Sequence, residues 1–406
     1  MLFEERSMDL KARVEAALAL TKRLIESHGP RLAGSEASPL CADELARKAE
    51  GVADSVVSSD FAVRPGAFLG FIRLLVVLYA LGVLALPFAA SASAFLASVG
   101  VAVLVLEFFL YREPIDPFFP RRIGRNVHAV LEPSGRAERQ LIVSGHHDSA
   151  RVFNFYIDRP ERYAARVYGS MGSFAAFWLA SLGLAALGAG QALRIVAAVL
   201  FAAGFTLVAP LWRFTGKEGT PGAGDNLVAS AIDLEIAREF RSRRDAGAGL
   251  TRTRLVFASF DAEEAGLRGA RAWVRANRPL LSELPTWHYN MDCIYSAEHA
   301  RFLTSDVNGS VKLDEGLARD CAAAAEAEGY AAKVEPIAFM TGGTDAAETA
   351  RAGVRATTLL AMPWSNDERS AAYHTPADTI EAVSPRAVEL ALKVGIRIAE
   401  GLDRPS

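Results

Sequence analysis

The sequence predicts an α/β fold: a mostly parallel β-sheet covered by helices on both faces, with four transmembrane helices inserted into it as two hairpins. Three observations carry this prediction. Short β-rich runs alternate with helical stretches along most of the chain, the order that builds a parallel sheet flanked by helices. Two long, almost uncharged blocks at 67–111 and 168–212 interrupt the alternation. The acidic and histidine residues that stand out tend to follow predicted strands, where open α/β sheets hold their ligands.

In chain order, an amphipathic helix over Asp9–Ser27 is followed by a helix over Pro39–Gly51 and a strand over Val56–Val63. Strands follow at Asn126–Leu131 and Gln140–Gly145, and a helix at Asp225–Arg243 opens after Gly222-Ala223-Gly224. A strand at Arg254–Phe260, a helix at Leu267–Asn277 and strands at His288–Asp292 and Arg301–Thr304 come next. The pattern closes with a helix at Lys312–Glu328, a strand at Val334–Phe339, a helix at Thr344–Ala352, a strand at Ala356–Met362 and a helix at Pro385–Gly401. Residues 1–66, 112–167 and 213–406 read as one discontinuous domain.

Within the apolar blocks the expected spans are Ala67–Phe88, Ala92–Tyr111, Tyr168–Gly188 and Ala192–Trp212. Each approaches the ~20 residues that cross ~30 Å of hydrocarbon. The short links around Ala89–Ser91 and Ala189–Gln191 make each block a hairpin that enters and leaves on one face; buried helices of a soluble core are the alternative. Several of Tyr79, Tyr111, Tyr168, Trp178 and Trp212 fall near span ends, as interfacial aromatics do. Arg73 and Glu107 fall at similar depth in the first hairpin, so they pair, snorkel to the interface, or each mark a shorter span. Lysine and arginine set orientation. Arg64, Arg112, Arg121, Arg122, Arg125, Arg159, Arg162, Arg166, Arg213 and Lys217 flank the spans on the domain side, against Arg194 alone at the tips. That places the catalytic domain on the cytoplasmic face. The start MLFEERSMDL has no basic stretch followed by an apolar core, so no secretory signal is expected.

The chain has 406 residues and a net charge of −3, which gives no footprint for nucleic acid. A hydrophobic fraction of 51% and mean hydropathy of +0.17 are high for a soluble enzyme and agree with the inserted spans. Cys41, Cys293 and Cys321 are too widely spaced for a disulfide framework or a metal knuckle. Cys293 reads as a buried strand cysteine beside Asp292.

Five pieces carry the chemistry: His146 in Ser144-Gly145-His146-His147-Asp148-Ser149, Asp225 in Gly224-Asp225-Asn226, the pair Glu263-Glu264, Asp292 in Asn290-Met291-Asp292, and His374 in Tyr373-His374-Thr375-Pro376. Imidazole and carboxylate hold zinc ions side by side, and a two-metal site of this kind serves hydrolysis. The order and spacing of His146-His147-Asp148, Asp225-Asn226, Glu263-Glu264-Ala265-Gly266-Leu267, Asp292 and His374-Thr375-Pro376-Ala377-Asp378-Thr379 resemble the M28 family of zinc aminopeptidases. The resemblance covers roughly residues 10–63 and 125–402. In that family the gap between the first and second of these acids is short; here Asp148 and Asp225 are 77 positions apart, and the second hairpin lies between them. An active-site mouth near the bilayer surface is therefore expected.

The resemblance implies two Zn2+ ions, with cobalt or manganese as other occupants of an N/O site. It assigns His146 to one ion and His374 to the other, Asp225 to both, and Glu264 and Asp292 to one each. A hydroxide held between the ions would be the nucleophile, Glu263 the general base, and Asp148 the partner that fixes the His146 tautomer. His147 reads as a neighbour rather than a ligand, and Asn226 as a group that orients a carboxylate. Gly342-Gly343-Thr344-Asp345 resembles a segment near the metals, with Asp345 either supporting the site or capping the next helix. Asp378 is expected to hold the His374 loop, and Tyr373 to stabilise a tetrahedral intermediate. His28, His128, His288 and His299 lie outside the motifs. Trp287, Tyr289 and Trp364 either shape a side-chain pocket or pack the core.

The leading expectation is a membrane-anchored aminopeptidase acting on peptides with a free N-terminus, its partners being the lipid bilayer and, as an open alternative, a second copy in a homodimer; Gly172, Ala176, Ala180 and Gly183 permit close helix packing within one chain or between two. Two other classes remain. One is another zinc hydrolase on the same site: a cyclase, which would keep a single zinc, or a carboxypeptidase, which would use Arg268 or Arg369 for a substrate carboxylate. The other is a membrane scaffold with an inactive domain.

Overall fold

The computed structural model describes residues 2–363 and 370–405, with only the backbone of residues 2–8. The chain divides into two compact units. One holds 1–63, 121–151 and 218–406; the other holds 64–120 and 152–217. The boundary differs from the sequence-based one: 112–120, 152–167 and 213–217 group with the apolar helices. For the latter two stretches aromatic side chains explain this, because Phe153, Tyr156, Tyr163 and Phe214 pack on one another with ring centroids 4.7–6.5 Å apart.

The first unit is built on an eight-stranded sheet. Its strands are β1 (Ser55–Val63), β2 (Arg122–Leu131), β3 (Arg139–His146), β4 (Thr253–Phe260), β5 (Thr286–Ile294), β6 (Ala300–Leu303), β7 (Lys333–Glu335) and β8 (Arg355–Ala361). The order across the sheet is β1-β2-β4-β3-β5-β8-β6-β7. The central strands β4, β3, β5 and β8 are parallel, as are β6 and β7. The β1–β2, β2–β4 and β8–β6 pairs are antiparallel, so the sheet is mixed around a parallel centre. All eight strands fall where the sequence predicts them. The run predicted at Val334–Phe339 is paired only over Lys333–Glu335.

Helices at Leu2–His28, Val228–Asp245 and Pro385–Asp403 bury apolar faces against the same core as Leu141, Val143, Leu255 and Tyr289. On the other face Ile142, Val256 and Phe260 pack with Ala270 and Trp273 of the helix Arg268–Ala276. The strand alternation thus feeds two layers of core, as expected of a sheet covered on both sides.

The second unit holds four helices long and apolar enough to cross a membrane, over Pro65–Ala85, Ala90–Phe109, Pro160–Ala186 and Gln191–Arg213, with mean hydropathies of 2.4, 2.1, 1.3 and 2.2. Their facing sides bury Phe71, Leu75, Tyr79, Phe174 and Phe177, while Leu84, Phe88, Leu187 and Leu200 are exposed. Buried hydroxyls meet across helices: Tyr79 Oη lies 3.0 Å from both Ser173 Oγ and the Phe201 carbonyl, and Ser93 Oγ lies 3.1 Å from Ser181 Oγ. Arg73 donates to the Trp212 carbonyl at 3.3 Å and lies over the Trp212 ring. Glu107 is buried in a π-turn at Val105–Phe109 and accepts from the Ile115 amide at 3.4 Å.

Candidate metal centre

Strands β4, β3 and β5 lie side by side and parallel, so their carboxyl ends open together. His146 ends β3 opposite Phe260, the last residue of β4. Ser144 pairs with Asn290, and two residues further along each strand come His146 and Asp292. Glu263 and Glu264 follow β4 after Asp261-Ala262. Asp225 lies in the turn Ala223–Leu227 that leads into the helix Val228–Asp245. This helix crosses β3 where Gly145 leaves room: a Cβ there would meet Ala229 Cβ at 2.4 Å.

The sequence-selected residues come together into two donor groups that share one carboxylate. His146, Asp225 and Asp292 form one, and Asp225, Glu264 and His374 the other, with the donor atoms of each group within 4.8 Å of one another. Asp225 divides between them: Oδ1 lies 3.3 Å from His146 Nε2 and Oδ2 3.1 Å from His374 Nε2. Glu264 Oε1 is 3.4 Å from His374 Nε2, and Asp292 Oδ1 is 3.8 Å from His146 Nε2. Glu263 Oε2 is 3.8 Å from His146 Nε2 and completes a third group with His146 and Glu264.

The donors fit a metal. Separations near 3.3 Å match the edge of a tetrahedron whose metal–ligand bonds are roughly 2.0–2.1 Å. His146 Nε2, Asp225 Oδ2 and Glu264 Oε1 are buried without a hydrogen-bond donor or acceptor to satisfy them, a costly state unless a cation is shared among them. The crowding of negative charge has the same meaning. Burial opposes the charged form of His374, yet Glu264 and Asp225 outweigh it and lift its pKa to about 10. Burial lifts Glu264 to about 7, with His374 opposing. Burial also raises Glu263, against the pull of His146 and with Asp292 and Glu264 adding to the rise.

Backbone geometry around the donors is unusual. Ala262 before Glu263, Cys293 after Asp292, and His374 itself have φ of +57°, +53° and +54°. Left-handed backbone at residues other than glycine concentrates at sites where a side chain must be aimed.

A surrounding layer orients the donors. Asp148 Oδ1 lies 3.3 Å from His146 Nδ1, and its two oxygens accept the Glu263 and Glu264 amides at 3.1 and 3.3 Å. Asp148 thus occupies Nδ1, leaves Nε2 turned to Asp225 and Asp292, and ties the ring to the acidic pair. Asp378 accepts the Gly224 amide at 2.8 Å and the Asp225 amide at 3.4 Å; it thereby ties the His374 loop, to which it belongs, to the Asp225 turn. Burial raises Asp378 to about 8, with Asp225 adding to the rise. Asn226 donates to the Met291 carbonyl at 2.8 Å, beside Asp292.

His147 is bonded to Ser259 Oγ at 2.8 Å and joins neither shared donor group. Asp345 makes no side-chain capping bond; it is buried with both oxygens lacking hydrogen bonds, and burial raises its pKa. The Gly343-Thr344 segment before it is pinned by Asp306, which accepts Thr344 N at 2.8 Å and Thr344 Oγ1 at 2.6 Å. Nothing in the sequence had singled out Asp306. The Tyr373 ring lies 4.0 Å from the His374 ring. Arg268 is buried and donates to the Ala265 carbonyl. Arg369 and Trp364 lie outside the described residues. Tyr289 is core, donating to the Ala391 carbonyl at 3.3 Å, and Trp287 stacks under Arg355.

Two solved structures share the fold across nearly their whole length. A zinc aminopeptidase from Bacillus subtilis is 14% identical, with a TM-score of 0.56 over 95% of each chain. A glutaminyl cyclase from Bacteroides thetaiotaomicron is 12% identical, with a TM-score of 0.56 over 95% of this chain and 96% of that one. In sequence, a probable glutamate carboxypeptidase of Arabidopsis thaliana is 36% identical over 77 residues, 19% of this chain and 11% of the relative. The chain thus spans only about a tenth of that relative's length. Residues 206–397 match Peptidase family M28; this segment contains Asp225, Glu263, Glu264, Asp292 and His374, while His146 and Asp148 precede it across the second apolar block. Over this segment, just under half of the chain, the sequence is similar to peptidase family M28.

Proposed function

We propose that this protein is a membrane-anchored dizinc aminopeptidase that hydrolyses the N-terminal residue from peptides. The observation that carries this reading is Asp225, whose two oxygens face two different histidines at 3.3 and 3.1 Å. One carboxylate shared between two donor groups is what a two-metal centre needs. His146, Asp292 and Asp225 would hold one ion; His374, Glu264 and Asp225 the other. Zinc, when bound, supplies a Lewis acid for the scissile carbonyl and lowers the pKa of water to about 7.

The chain's own residues do the rest. Glu263 takes a proton from the attacking water and returns it to the leaving amine. Asp148 keeps Nδ1 of His146 occupied so that Nε2 faces the metal. Tyr373, beside His374, is positioned to donate to a developing oxyanion. Carboxylates beyond those that bind metal suit the positive charge of a free substrate amine. The hydropathy of the four helices supports membrane anchoring. The ten cationic flanks against one tip arginine support a cytoplasmic catalytic unit.

The test is hydrolysis of aminoacyl reporter amides by the purified full chain, beside N-acetylated substrates and the Glu263→Gln variant. Free-amine substrates alone should be cleaved, chelation should abolish turnover, and Glu263→Gln should lower kcat by about 10²–10⁴-fold with zinc content retained. In right-side-out vesicles turnover should appear only after permeabilisation. Cleavage of substrates with a blocked amine and a free carboxylate would replace this reading with a carboxypeptidase, and cyclisation of glutaminyl peptides with one zinc bound would replace it with a cyclase.

A further inference from the structure

Arg31 is 0% exposed, and its guanidinium hydrogen-bonds backbone carbonyls alone. Nε donates to the His147 carbonyl at 2.7 Å. Nη1 donates to Gly29 and Pro221 at 2.9 and 3.0 Å, and Nη2 to Gly222 at 2.9 Å. The backbone closes the same joint, since the Arg31 amide donates to Ser149 Oγ at 2.9 Å and the Ser149 amide to the Arg31 carbonyl at 3.1 Å. Gly222 has φ +64°, and a Cβ there would fall 2.8 Å from Arg31 Nη2 and 2.7 Å from Ser149 Cβ.

These partners are not scattered. His147 and Ser149 flank Asp148 and directly follow the donor His146; Pro221 and Gly222 open the turn that presents Asp225. Between the two segments the chain departs into the second apolar hairpin, leaving after Arg151 and returning at Glu218. The two legs are also joined by the Thr220 amide, which donates to the Ala150 carbonyl at 2.8 Å. A buried cation without a carboxylate bonded to it is expensive, and a core hydrophobe would fill the space without that cost. A planar fork that reaches several carbonyls at once is something only arginine offers.

We infer that Arg31 is a positioning residue for the metal centre: it locks the loop carrying His146 and Asp148 to the loop carrying Asp225, so that donors separated by a long membrane insertion keep their spacing. The inference rests on the metal-centre reading above, but not on which bond the enzyme cleaves.

The test is zinc affinity, measured on the full chain in detergent by competition with a chromophoric chelator. Arg31→Lys keeps the charge and loses the fork; it should weaken zinc binding by about 10–100-fold, the usual cost of losing a partner outside the ligand shell. Ser149→Ala removes one bond of the same joint and should give a smaller fall in the same direction. Leu390→Ala, a core truncation in the helix Pro385–Asp403, is the control for lost stability and should leave zinc affinity unchanged. Unchanged affinity in Arg31→Lys overturns the inference, as does an equal loss in Leu390→Ala. If Arg31→Lys does not fold, Ser149→Ala decides in the same sense. A wild-type chain that binds no zinc overturns the metal centre and this inference together; one that binds zinc without hydrolysing amides overturns only the proposed activity.

Discussion

The two units differ in how they treat their clustered polar groups. Among the apolar helices, hydroxyls meet each other, a carbonyl or an indole N–H: Tyr79 with Ser173 and Phe201, Ser93 with Ser181, and Ser98 with Trp178 Nε1 at 3.0 Å. In the sheet unit, His146 Nε2, Asp225 Oδ2 and Glu264 Oε1 converge and are left without hydrogen bonds. A satisfied buried polar group holds a structure together; a convergent set of unsatisfied ones marks a place prepared for something else. The difference separates packing from function without reference to any relative.

The sharpest way to break this comparison is Asp225→Ala. If Asp225 is shared between two metals, its loss should reduce zinc binding and hydrolysis to background. The metal-free variant should lose some stability as well, because the His146 and His374 rings outweigh burial and hold the Asp225 carboxyl well below the usual carboxylate range, and their partner is removed. The further stabilisation that added zinc gives to wild type should disappear. Thermal melts with and without zinc, run beside an activity assay, check this. A variant that zinc still stabilises as much as it does wild type would mean that Asp225 serves packing after all.

Much of this organisation was legible in the sequence. Eight strands, the two apolar hairpins and the five metal-ligand candidates could be read because each is a local pattern: alternation, long apolar runs, or an acid or histidine just past a strand. What escaped depends on distant segments meeting. Arg31 sits between Pro30 and Leu32 with no patterned acid near it, and apart from Gly29 its partners lie more than a hundred residues away. Asp378 was read as structural, holding the His374 loop, but what it holds that loop to was not legible, because its target, the Gly224 amide, belongs to a turn 154 residues earlier. Arg73 and Glu107 illustrate the same limit, since equal depth in a hairpin does not fix the partner; Arg73 meets Trp212 of the other hairpin.

Between the two kinds of polar burial lies a third, a satisfied network inside the catalytic sheet. Ser144 Oγ lies 2.6 Å from both His288 Nε2 and Asn290 Oδ1, and His288 Nδ1 lies 2.7 Å from Thr349 Oγ1. Burial pushes the His288 pKa down to about 3, against roughly 6.5 in an unfolded chain. The folded state therefore binds fewer protons than the unfolded state between those values. Stability from this group is full above pH 6.5 and falls as the solution is acidified, by up to ~1.4 kcal/mol per pH unit. Burial gives His128, at about 4, the same sign. In chelator, His288→Gln should flatten the acid limb of a plot of unfolding free energy against pH. An unchanged slope would mean that His288 is not held neutral in the fold.

The smallest expected effect tests the helices. Tyr79→Phe deletes a hydroxyl that lies 3.0 Å from Ser173 Oγ and the Phe201 carbonyl. Interhelical hydrogen bonds in membranes average about 0.6 kcal/mol and reach about 1.7, because an apolar solvent leaves the unfolded helices to find other partners. A loss in that range is expected, and a Tyr79→Phe/Ser173→Ala cycle should return a coupling of similar size. Zinc affinity and kcat should not move. The contrast with Asp225→Ala is then one of function: one substitution removes zinc binding and hydrolysis, the other costs stability and spares both. Were Tyr79→Phe to lower kcat at constant stability, the hydroxyls of the helices would have to be counted with the catalytic unit, and the division drawn from hydrogen-bond satisfaction would fail.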